Sequence, residues 1–241
     1  MRAEDAIKKL LLAVSLAASV NAAFGADPAA GHSHHLLQTV SWIAISLGVL
    51  TALVIAADER SHPQGMQIMN VVWPVTGLYF PVIGGWLYRA MGRPLATHAH
   101  HAVAQDARWK SVLLSATHCG AGCVIGDIVA VALFGPNFAI EFALAYLFGI
   151  AFQYIPIRAM RDISPATALW EAVKADTLSL VAFEVGMFGW MAVARFWLLH
   201  EAAAPSSIAF WFMMQIGMIA GFATTYPANW LLVKWGVKSG M

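Results

Sequence analysis

The sequence is short of charge. Lysine, arginine, aspartate and glutamate make up 11% of it, where a soluble domain carries about 25%. The 241 residues are instead 60% hydrophobic, with a mean hydropathy of +0.67, which excludes an ordinary soluble protein. The net charge is only +1, so neither a nucleic-acid footprint nor a polybasic membrane-surface mode is encoded. Two cysteines cannot build a disulfide framework. No phosphate-cradling glycine loop, no Ser/His/Asp order and no zinc-protease helix is present, so nothing marks the chain as an enzyme. His118 is the only histidine well inside an apolar span, which argues against a bis-histidine haem. No repeat of 20–50 residues is visible, and no polar stretch is long enough to fold alone.

What remains is a polytopic, all-α integral membrane protein, whose main partner is the lipid bilayer. Residues 1–26 resemble a secretory signal. Arg2, Lys8 and Lys9 precede an apolar core and small residues suited to cleavage. Residues 27–35 form a leader with His32, His34 and His35. The membrane domain is residues 36–241. Spans are expected over residues 36–57, 67–91, 111–134, 138–157, 177–199 and 206–232, each long enough for about 30 Å of hydrocarbon. The second holds Pro74 and Pro81, which predict a kink or a break. Ten tryptophans suit interfacial belts. A bacterial inner membrane is the expected location.

Orientation is contradictory on six crossings. The first histidine cluster, the 92–110 loop with His98, His100 and His101, the 158–176 connector and the C-terminus would share one face. That face carries nearly all the lysine and arginine, which belong in the cytoplasm. A cleaved signal would place the mature N-terminus outside. Either the first segment does not translocate, or a span such as the proline-rich second is re-entrant.

The third span holds the chemistry. Ser115, Cys119, Cys123 and Asp127 are spaced by four and share one helix face. His118 lies about 100° round the helix from Cys119. Gly122 and Gly126 form a smooth strip that admits a close neighbour. The two thiols are suited to one soft ion, copper or zinc. They are poorly placed for a mutual disulfide, since Cβ atoms one turn apart are about 5–6 Å distant and the bond wants roughly 3.8 Å. Met214 and Met218, together on one face of the last span, are candidates to complete the shell. The loop histidines His32, His34, His35, His98, His100 and His101 could capture metal. Asp127 and Glu184 are candidates for a proton or charge relay, because an uncompensated charge at mid-span costs about 2.5–3.5 kcal/mol. Against these stand ordinary packing of buried cysteines and methionines, and solvated loops.

Three blocks carry a family resemblance: PQGMQIMNVVWPVTGLY at 63–79, ATHCGAGCVIGD at 116–127 and MMQIGMIAGFATTYPAN at 213–229. With these the chain, from about residue 36 to its end, resembles the prokaryotic membrane family catalogued as domain of unknown function 4396. The resemblance implies no established activity; a copper-related name borne by some members implies copper handling. Soft-metal binding or transport is the expected function. The alternatives are a membrane thiol oxidoreductase, using Cys119 or Cys123 with quinone, and a non-catalytic assembly subunit.

Overall fold

The structure is a computed structural model, and it describes residues 32–93, 108–199 and 204–238. Seven α-helices account for most of these residues, and no strand occurs among them: α1 (His32–Glu59), α2 (Met69–Tyr79), α3 (Ile83–Leu87), α4 (Arg108–Phe134), α5 (Phe138–Met160), α6 (Pro165–Val193) and α7 (Ile208–Lys234). Short π-helical turns extend α3 through Tyr88–Gly92 and α6 through Ala194–Leu199. Polar residues start the later helices. The Asn137 side chain accepts from the amides of Ala139 and Ile140, and Ser164 caps α6 ahead of Pro165, satisfying donors that the first turn leaves free.

Five of these helices, α1 and α4 to α7, are long and apolar enough to cross a membrane. The second expected span, residues 67–91, is not among them. It is a helical hairpin. α2 ends at Tyr79, the chain reverses through Phe80, Pro81 and Val82, and α3 runs back beside it. A Cβ on Gly84 would lie 2.9 Å from the Cα of Gly77, a residue that in a continuous helix would be about 10 Å away. The returning arm ends at the C-terminal end of α1. Tyr88 Oη donates to Asp58 Oδ2 at 2.9 Å, and Arg93 Nε pairs with the same carboxylate at 2.9 Å. Eleven residues of α2 reach about 16 Å, half the hydrocarbon thickness.

The tip is braced from two sides. Val82, with φ of 65°, donates its amide to Thr51 Oγ1 on α1. Gln215 on α7 donates to the Leu78 carbonyl at 2.8 Å. Irregular backbone at membrane depth needs such partners inside the protein. The connector expected over residues 158–176 is mostly the first three turns of α6.

The hairpin changes the topology. The start of α1, the α4–α5 turn and the end of α6 lie at one end of the bundle. The other end gathers Arg60, Arg93, Lys110, Arg158, Arg161 and Lys234. His35 therefore lies at the opposite end from Arg93 and Trp109, the described residues that flank the second histidine cluster. The expectation that the two clusters share a face falls outside the described residues, as do the side chains of His32, His34, His98, His100 and His101 and the signal-like segment. Five crossings also remove the conflict over orientation, because a translocated N-terminus and a cytoplasmic basic end are now compatible.

A cysteine-labelling experiment separates the two topologies. In a background without Cys119 and Cys123, Arg60→Cys and Trp109→Cys are expected to react with an impermeant maleimide from the same membrane face. Labelling from opposite faces would restore a sixth crossing.

Candidate functional site

α4 is the central helix, packed against α5, α6, α7 and α2. Its small residues allow this. A Cβ on Gly122 would lie 2.7 Å from the Cα of Gly149, and one on Gly126 would collide with the backbone of Ala145. α5 thus rests on bare backbone of α4, as the glycine strip implied. The polar stripe faces inward. Ser115, His118, Cys119, Cys123 and Asp127 are all 0% exposed.

Opposite this stripe stand three groups from other elements. Glu184 of α6 is buried and has the Cys123 thiol beside it. Tyr79, at the hairpin tip, is also buried, and its hydroxyl lies 3.4 Å from where a Cβ on Gly120 would sit. Asp176, two turns before Glu184 on α6, lies within electrostatic reach of His118. Among the described residues, Ser115 Oγ, both His118 nitrogens, both Asp127 oxygens, both Glu184 oxygens, Tyr79 Oη and Asp176 Oδ2 are buried and make no hydrogen bond. Such groups are costly in a protein interior. In a bundle of membrane spans they mark a functional path by default. Ser115 to Asp127 covers twelve residues, or about 18 Å along the helix, more than half of the hydrocarbon layer.

At the basic end a second group of polar side chains is hydrogen-bonded together, Asp176 Oδ2 apart. Lys238 Nζ donates to Asp176 Oδ1 at 2.6 Å and to Asn229 Oδ1 at 2.9 Å. Ser179 Oγ lies 3.1 Å from the same Asp176 oxygen and 3.3 Å from the same Asn229 oxygen. Asn229 Nδ2 donates to the Thr225 carbonyl, and Thr225 Oγ1 donates to the Ser179 carbonyl. Burial alone would lower the pKa of Lys238, but the Asp176 carboxylate outweighs it and holds the ammonium above the usual lysine value.

A zinc site wants four converging donors. Among the described residues no three His, Cys, Asp or Glu side chains converge to hold an ion. His118 lies about 100° round the helix from Cys119, with its ring against Phe152, while Cys123 has Glu184 beside it. Met214 and Met218 are buried in the same core cluster as both cysteines. His35 stands exposed at the far end of α1.

Sequence reasoning placed Asp127 and Glu184 together in role, and the structure brings them within electrostatic reach of each other. It missed Tyr79, Asp176 and Lys238. Asp176 had a legible signal, since it lies eight residues before Glu184 and so on the same helix face. Lys238 had none.

A family model described as domain of unknown function (DUF4396) matches residues 108–238, which is α4 through the C-terminal tail. The hairpin, with the first of the three blocks, lies ahead of the matched residues. No curated protein and no solved structure matches the chain.

Proposed function

The chain belongs to the family of domain of unknown function 4396, and from that premise we propose that this integral membrane protein is a transporter whose α4–α6 interface relays protons through the bilayer. One observation carries the reading: the four carboxylate oxygens of Asp127 and Glu184 are buried at the centre of the bundle without a hydrogen bond. A buried carboxyl with no fixed partner is able to take up and release a proton at little structural cost. The Cys123 thiol stands between the levels of the two acids and Cys119. The hydroxyls of Tyr79 and Ser115 and the imidazole of His118 continue the file toward the basic end. Successive stripe positions are about 6 Å apart, so single hydrogen bonds do not span them. The groups projecting from α6 and from the hairpin tip shorten these steps.

The hairpin gives this relay a movable part. Broken helices that meet at mid-membrane are the usual place where transporters bind and gate their cargo. The Tyr79 hydroxyl rides on such a break.

Proton flux in proteoliposomes, driven by a potassium diffusion potential and read with a trapped pH dye, tests the proposal. Asp127→Asn and Glu184→Gln are each expected to lower the flux about a hundredfold, with gel-filtration behaviour unchanged. Wild-type flux no faster than that of empty vesicles, or equal flux in the double variant, would overturn it.

A second reading rests on the sulfurs. Two buried thiols one turn apart, with Met214 and Met218 in the same core, suit a two-coordinate Cu(I) rather than zinc. Copper content that vanishes in a Cys119→Ser, Cys123→Ser variant while Asp127→Asn retains it would favour that reading.

A further inference from the structure

We infer that the oxygens gathered around Lys238 are a binding site for a desolvated monovalent cation, an alkali or ammonium-type ion, and that the Lys238 ammonium occupies it as a tethered stand-in. The site is built from α6 and α7. Asp176 Oδ1 and Asn229 Oδ1 both accept from the one nitrogen, at 2.6 and 2.9 Å. Ser179 Oγ, 3.1 and 3.3 Å from these two oxygens, holds them together and lines the cage. Asp176 Oδ2, fully buried, makes no hydrogen bond, so the same carboxylate keeps an unused acceptor.

The donor set decides the class of ion. Every ligand is an oxygen, which favours hard cations over copper or zinc. One carboxylate, one amide carbonyl and one hydroxyl carry a single negative charge, which a monovalent ion balances and a divalent ion would overbalance. Removing that balance leaves a bare buried carboxylate, so the site has a strong demand for one positive charge.

The stand-in is on a part of the chain that can leave. Lys238 is not on α7 but on the short tail after it. Gly236, at φ of 70°, reverses the chain there, in a region of backbone that favours glycine. The amides of Val237 and Lys238 then bond only to the Leu232 carbonyl. Undocking this tail opens the cage at the basic end of the bundle without disturbing a helix. The site does not depend on the relay, and an Asp127→Asn protein should keep it.

The test uses the full chain in detergent at constant ionic strength. Thermal unfolding of Lys238→Met is followed in choline chloride and in sodium, potassium or methylammonium chloride. At least one of the three is expected to raise the midpoint saturably, by roughly 5 °C at about a hundred times its dissociation constant. Wild type should not respond, and adding Asp176→Asn should abolish the response. No response to any of the three ions, or one that survives Asp176→Asn, overturns the inference. If Lys238→Met does not yield folded protein, wild type decides. Acetylation of Lys238 by an amine-reactive reagent, read by mass spectrometry, should be about tenfold faster in the effective cation than in choline; equal rates in all four salts overturn it.

Discussion

Lys238→Met is expected to cost roughly 3–5 kcal/mol of stability in choline buffer, among the largest losses available from one side chain outside the spans. The side chains of Lys238 and Asp176 are 1% and 0% exposed, so water cannot take over from the missing ammonium. The carboxylate is left charged and dry, or it must bind a proton. The double variant Asp176→Asn with Lys238→Met is expected to recover most of the loss. It removes both charges and leaves an amide that Ser179 and Asn229 can still bond. Denaturant midpoints of the two single variants and the double variant supply the coupling. A Lys238→Met loss below about 1 kcal/mol would mean that the pair behaves as an exposed one.

Gly126→Val is expected to be equally damaging, for a steric reason. Its first side-chain carbon would already overlap the Ala145 backbone, which no rotamer can relieve. Overpacking among side chains costs about 1–3 kcal/mol. Here backbone meets backbone, so α5 must move away bodily and the loss should exceed that range. The same substitution at Gly189, exposed on α6 with nothing within 4 Å of its added carbon, is the control and should be close to neutral. Thermal midpoints in detergent, with gel filtration to detect aggregation, give the comparison. Equal midpoints for the two variants would show that α4 and α5 are not in contact at Gly126.

The contrast between these two sites shows what a sequence can carry. Gly122 and Gly126 were readable because their message is local: small residues four apart on one helix make a groove on any helix. The burial of Cys119, Cys123 and Asp127 was readable for the same reason. The Asp176–Lys238 pair was not, because its members are 62 residues apart and each looks like an ordinary charge beside a span. The hairpin falls between these cases. Pro74 and Pro81 announced a break, but residues 67–91 have the length and apolarity of a crossing. What turns the chain back is a set of distant contacts: Asp58 with Tyr88 and Arg93, Thr51 with Val82 and Gln215 with Leu78. The angular spacing of the candidate metal ligands was also in the sequence. A turn of 100° per residue parts His118 from Cys119, and among the described residues no three histidine, cysteine, aspartate or glutamate side chains converge.

The tryptophans also gained meaning from the fold. Trp109, Trp170 and Trp235 are exposed near the basic end, and Trp197 is exposed near the other. Amphipathic rings at these ends suit membrane interfaces.

The half-depth hairpin gives the molecule unequal girth. Near the basic end seven rods cross a slice parallel to the membrane, the five spans and both hairpin arms. Past the tip only five remain. The protein is therefore a wedge, displacing more lipid area from the leaflet at its basic end than from the other.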